Sequence, residues 1–135
     1  MGVAGSARRS GLPHGEARTV SAHRGEIWDA ELGQPFENEL GGDHPVVVVS
    51  VDPFNNLPLE LAWVIPGSTT NKVPQPFHVD VQPSAGNGLS ARTWFKAEHL
   101  RSVDQARLAT KRGMIDKASL TALLDVVEQI AQKQA

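Results

Sequence analysis

Four consecutive valines, Val46, Val47, Val48 and Val49, constrain this chain more than any other feature. β-Branched side chains are stiff at χ1 and suit a pleated surface better than a helix. An apolar run with no polar break has no wet face, so the strand it makes must be buried on both sides. We predict that strand over residues 46–51, at the centre of the fold. Gly41-Gly42-Asp43-His44-Pro45 precedes it. Pro45 drives His44 out of the α region into extended backbone. A titratable histidine therefore stands where a polar loop meets the stiffest part of the core, and loops held on a rigid scaffold are where functional groups collect.

Short extended segments and turn chemistry surround that strand. Residues 24–31 alternate and predict a first strand. Residues 32–43 form a polar loop long enough to suggest a functional role. Residues 52–56 read as a turn, and 59–65 as a third strand broken by Pro66-Gly67. Residues 68–72 form a loop of hydroxyls with one cation. Residues 77–81 predict a fourth strand, 83–88 a turn and 93–97 a fifth strand. A short turn and a strand near 106–110 follow. Asp116 then caps a helix over 117–133, where Leu120, Leu123, Leu124, Val127, Ile130 and Ala131 repeat at helical spacing. Trp28, Trp63 and Trp94 are assigned to the core. The fold class is α+β and mostly β: a small, curled antiparallel sheet with one C-terminal helix. Strands and helices do not alternate, which excludes a doubly wound sheet.

At 135 residues the chain is one domain, large enough to bury a core without staples. It has no cysteine, hence no disulfide framework and no thiolate metal site, which fits a reducing, cytoplasmic compartment. No apolar run approaches the roughly 18 residues that span a bilayer. Residues 1–23 are rich in Gly, Ala, Ser and Arg, lack an apolar h-region and read as a disordered leader; 24–135 is the folded domain. Residues 1–6 also match a myristoylation pattern that small residues satisfy easily. The net charge of −2 hides a polarity. Residues 24–66 carry Arg24 against eight acids, whereas 67–117 carry eight Lys/Arg against four. Any basic footprint for nucleic acid must lie in that second half.

His14, His23, His44, His78 and His99 are scattered, and none pair at zinc spacing. There is no phosphate-binding Gly-rich loop and no nucleophile elbow. What remains is two polar loops, each at the end of a core strand. One holds Glu39 and His44; the other holds Ser68, Thr69, Thr70 and Lys72. Brought together, they supply an acid/base, hydroxyl donors and a cation. That set suits cleavage of an RNA phosphodiester by its own 2′-hydroxyl, without metal or cofactor.

The order of motifs resembles a known family. Arg24-Gly25-Glu26-Ile27-Trp28, then residues 39–50, then Val64-Ile65-Pro66-Gly67-Ser68-Thr69-Thr70, then Pro76-Phe77-His78-Val79, then residues 96–103 are similar, in register, to the MazF/PemK toxins of type II toxin–antitoxin systems. The resemblance implies an SH3-like barrel with a C-terminal helix, usually a homodimer. It implies a metal-independent endoribonuclease that cuts single-stranded RNA to 2′,3′-cyclic phosphate and 5′-hydroxyl ends, held in check by an antitoxin with an acidic, disordered tail. The family's catalytic arginine falls on His44, its threonine on Ser68 or Thr69, and its loop glutamate on Glu39. Arg24, Thr70, Lys72, Lys96 and Arg101 are the expected RNA contacts. Histidine is a capable acid/base near neutral pH but lacks arginine's permanent charge and fork, so the alternative is a weakened nuclease or a toxin-like binding protein. The CcdB type, which poisons gyrase, relies on a Trp-Gly-Ile ending; this chain ends Ala131-Gln132-Lys133-Gln134-Ala135.

Overall fold

The computed structural model describes residues 21–133. The expected leader falls outside the described residues over 1–20, as does the myristoylation pattern. Residues 21–23 are described: Ala22 is buried, and its backbone N–H donates to Gln105 Oε1 at 3.3 Å.

Among the described residues seven strands and two α-helices follow one another: β1 (Glu26–Glu31), β2 (Asp43–Val48), α1 (Asp52–Asn55), β3 (Leu61–Ser68), β4 (His78–Val81), β5 (Thr93–Lys96), β6 (Arg101–Asp104), β7 (Leu108–Met114) and α2 (Lys117–Ile130). Every pairing is antiparallel, in the order β4-β5-β3-β2-β1-β7, with β6 also on β3. The valine run does what its composition demands. Val46 and Val48 face one apolar cluster with Trp28, Val64 and Leu108. Val47 and Val49 face another, with Ile27, Ile65, Phe95 and Leu123.

Helix α2 lays Leu123 into that second cluster, with Leu120, Leu124 and Val127 packed beside it. Its predicted cap is present: Asp116 accepts from the Ser119 N–H at 2.9 Å. It stops at Ile130, short of the expected 133, because residues 128–133 are all exposed and no packing supports another turn.

Among the described residues no ladder joins the two ends of this sheet path. The turn at residues 83–88 brings them together instead. The Met114 N–H donates to the Gly86 carbonyl and Arg112 Nε to that of Gly88, both at 2.9 Å. Asn87 is buried inside the turn and bonds the backbone of Gln82, Ser84 and Leu89. The approach tolerates no side chain: a Cβ on Gly113 would lie 2.3 Å from the Gly86 oxygen.

Four local expectations are corrected. β3 runs through Pro66 and Gly67 instead of breaking there, because it changes partner at that point. Pro66 still pairs with Val46 of β2, while Gly67 and Ser68 pair with Phe95 and Trp94 of β5. His44 and Pro45 belong to β2, opposite Ala30 and Asp29, and not to the loop. Residues 101–104 form a strand that the expected turn overlooked; only Val103 in it is buried, too little for an alternation to show. Trp63 is 47% exposed, and Trp94 is half-buried beneath the Arg92 guanidinium, 4.7 Å from its ring centroid, so only Trp28 is a core tryptophan.

Candidate active site

Antiparallel pairing collects the polar loops at one end of the sheet. The registers Glu31 with Asp43, Val46 with Pro66, Ser68 with Trp94, His78 with Lys96 and Val64 with Arg101 place the end of β1, β3 and β5 beside the start of β2, β4 and β6. Glu39, His44, Ser68, Thr69, Thr70, Lys72, Lys96 and Arg101 all lie on or next to those strand ends. Arg24 does not. Gly25 bonds the Val48 carbonyl at the far end of β2, about 13 Å of strand from His44. The Arg24 backbone N–H donates to Asp52, and its Nε is buried without a partner among the described residues.

His44 is half-buried, and its Nδ1 lies 2.9 Å from the Gly67 carbonyl oxygen. A carbonyl can only accept, so Nδ1 carries the proton and Nε2 is the nitrogen left for chemistry. The orienting group is thus a backbone atom of β3, made available where that strand changes partners. Glu39, where the resemblance puts the family's loop glutamate, is not that group. Glu39 is exposed and instead closes its own loop, accepting from the Phe36 N–H and donating its own N–H to the Phe36 carbonyl, each at 3.0 Å.

Ser68 follows the anchoring carbonyl directly. It is buried, its Oγ lies 3.1 Å from Thr70 Oγ1, and it accepts from the Thr70 N–H at 3.1 Å. Thr69 and Lys72 are exposed. Arg101 donates to the Leu32 carbonyl at 3.3 Å, tying β6 to the base of the Glu39 loop.

A second group of side chains borders this end; sequence reasoning named its Glu39 and Arg101 but missed Glu98, His99 and His78. Glu39, Pro66, Glu98, His99 and Arg101 line a cavity of about 300 Å³. Glu98 Oε2 lies 2.6 Å from His78 Nε2 and 4.0 Å from His99 Nε2. His78 Nδ1 in turn lies 3.0 Å from Asn71 Oδ1, and its side chain is 4% exposed. Burial holds the His99 pKa below the usual 6.5; Lys96 and His78 push the same way, Glu98 and Glu39 against it. The only sequence signal was the adjacency of Glu98 and His99 just before Arg101; the partner His78 is 20 residues away in sequence. The assembled set offers proton-exchanging nitrogens, hydroxyl donors and cations at one strand end, the parts that transesterification at a phosphodiester requires. Among the described residues no group of three or more His, Asp or Glu is placed to hold a metal ion.

Residues 23–131 match the family model for the PemK-like, MazF-like toxin of type II toxin–antitoxin systems. Endoribonuclease MazF9 of Mycobacterium tuberculosis is 31% identical over 104 residues, which make up 74% of this chain and 87% of that protein. The crystal structure of MazF from Deinococcus radiodurans superposes with a TM-score of 0.73 at 21% identity, covering 86% of this chain and 100% of that one. A MazE–MazF structure from the same organism gives 0.66 at 22% identity, over 84% and 98%. An endoribonuclease with its cognate antitoxin, from a mycobacterial species, gives 0.62 at 16%, over 85% and 97%. At these identities the structural matches speak for the fold.

Proposed function

The chain belongs to the PemK-like, MazF-like toxin family of type II toxin–antitoxin systems, and from that premise we propose that it is a metal-independent endoribonuclease acting on single-stranded RNA. The observation that carries the proposal is the His44–Gly67 hydrogen bond, which leaves Nε2 of a half-buried histidine as the free nitrogen, while the residue after Gly67 begins the Ser68–Thr70 hydroxyl pair. In the reaction the 2′-oxygen attacks phosphorus and the bond to the 5′-oxygen breaks, giving a 2′,3′-cyclic phosphate and a 5′-hydroxyl. His44 stands beside the scissile phosphate; its Nε2, once it has taken up a proton, passes that proton to the departing 5′-oxygen. Ser68 or Thr69 donates a hydrogen bond to a phosphate oxygen. Glu39 is the acidic group of the site. Thr70, Lys72, Lys96 and Arg101 line the RNA track, and Arg24 is left out of it.

The partners follow from the family. Two of the similar structures are toxins held by an antitoxin. An acidic, disordered antitoxin tail across Lys72, Lys96 and Arg101 would neutralise the cations that RNA needs. A second copy of this chain is assigned to the apolar groove lined by Val49, Val51, Phe54, Trp63, Leu124 and Val127. No helix among the described residues is long and apolar enough to cross a membrane, and the working compartment is taken to be the cytoplasm.

The test compares wild type, His44→Ala and His44→Arg on a defined single-stranded RNA in EDTA. Wild type should release cyclic-phosphate ends, and His44→Ala should be about 10²–10⁴-fold slower. Equal rates for His44→Ala and wild type would remove His44 from the site. Cleavage by His44→Arg alone would mark the natural protein as a disabled nuclease that works by binding.

A further inference from the structure

We propose that His99, and not Glu39, accepts the 2′-hydroxyl proton, with Glu98 and His78 as the groups that position it. The inference rests on the RNA-cleaving function above and deepens it. Glu39 and His99 line the same cavity, together with Arg101, so both can reach a phosphodiester seated there. They are unequal acceptors. The Glu39 carboxylate is exposed and already accepts a backbone hydrogen bond from Phe36. The His99 side chain is 21% exposed, enough for contact and little enough to be partly dehydrated.

Burial favours the neutral ring, and Lys96 and His78 favour it further. A neutral imidazole near pH 7 is the form a general base needs. Once the proton has moved, the charge must be stabilised. Glu98 is placed for that, 4.0 Å from His99 Nε2, and Glu39 faces the same ring. Glu98 cannot swing away freely, because the largely buried His78 holds the same oxygen at 2.6 Å. The arrangement keeps His99 neutral before reaction and offers it a carboxylate after. Arg101, in the cavity wall, adds a permanent charge for the phosphate oxygens.

The step balances. A nitrogen of His99 takes the 2′-hydroxyl proton as the 2′-oxygen bonds to phosphorus. The phosphorus–5′-oxygen bond breaks, and that oxygen takes a proton from Nε2 of the His44 imidazolium. Exchange with water then resets both rings.

The experiment is a pH–rate profile with kcat and KM separated, for wild type, His99→Gln, Glu98→Gln and Glu39→Gln. Wild-type kcat should climb with pH on an acid limb that ends below 6.5, the ordinary histidine value. His99→Gln should lose about 100-fold or more in kcat with KM little changed, and the limb should vanish. Glu98→Gln should move the limb to lower pH, since it removes a charge that favours the imidazolium; a merely structural role would leave the limb in place. Glu39→Gln should slow the reaction without abolishing the limb. Free imidazole should restore at least about tenfold to His99→Ala whose circular dichroism matches wild type. A His99→Gln enzyme with the wild-type rate and limb overturns this inference and leaves the endoribonuclease standing. A limb abolished only by Glu39→Gln returns the role to Glu39. A wild type that cleaves no RNA overturns both.

Discussion

His44 Nδ1 donates to the carbonyl of Gly67 across 2.9 Å, and Gly67 is the residue at which β3 leaves β2 for β5. One peptide thus holds the histidine on one side and continues into Ser68 on the other. The core packing of three strands sets the distance between the two candidate groups. No side chain intervenes as a hinge.

That bond fixes the proton on Nδ1 of the neutral ring. Long-range ¹H–¹⁵N spectra of the histidines should show His44 with a protonated Nδ1 and a bare Nε2 once deprotonated. The reverse assignment would mean that the Gly67 contact does not form in solution.

Gly67→Ala should damage stability and activity together. Its Cβ would meet Thr93 Cγ2 at 2.5 Å and the Phe95 ring at 2.9 Å, so β3 and β5 must part. We expect about 1–3 kcal/mol of destabilisation in urea titration. The surviving folded fraction should also cleave more slowly, because the carbonyl that orients His44 has moved.

Glu26 couples stability to pH. Burial alone would raise its pKa, but hydrogen bonds from Trp28, the His23 backbone and Lys111 outweigh it, and the net shift is below 4.5. A depressed carboxylate stabilises the fold fully above its unfolded value. That contribution is lost as pH falls through the lower folded one. Glu26→Gln should cost about 1–3 kcal/mol at neutral pH. Its denaturation midpoint should then fall less than that of wild type on acidification.

The cations at the strand ends should make RNA affinity salt-dependent. If Lys72, Lys96 and Arg101 each neutralise one phosphate, log K should fall against log salt with a slope of about −2. Lys96→Ala should reduce that slope by about 0.7. A flat salt response in fluorescence anisotropy would place the RNA elsewhere.

Trp63 tests the pairing face. Its ring is 47% exposed, edge-on to Phe54 at 6.0 Å. If the proposed second copy packs against this face, Trp63→Glu should leave only monomer in sedimentation at micromolar concentration, with the far-ultraviolet spectrum intact.

The elements with one dominant physical cause were legible in the sequence. The valine run demanded a doubly buried strand, and Asp116 with its apolar stripe demanded a capped helix. Pro66-Gly67 misled because both residues break strands in the general case. Here the missing N–H and the missing Cβ fall where β3 exchanges one partner for another. The resemblance named Glu39, His44 and Ser68 or Thr69 as expected site residues, and the antiparallel registers bring those positions to one end of the sheet. The chain of His78, Glu98 and His99 was not, because a hydrogen bond across 20 residues leaves no periodicity behind. Nor was the isolation of Arg24, which depends on which end of β2 the chain enters.

The carbonyl that holds His44 has a genetic consequence. A side-chain anchor can be erased by any of several codon changes at its own position. A main-chain oxygen cannot, for every amino acid carries one. If the proposed RNA cleavage arrests growth when the chain is expressed without an antitoxin, cells survive by breaking it. Survivors that act through this contact should therefore fall at the His44 codon itself and at Gly67, where a new side chain displaces the strand rather than deleting the contact.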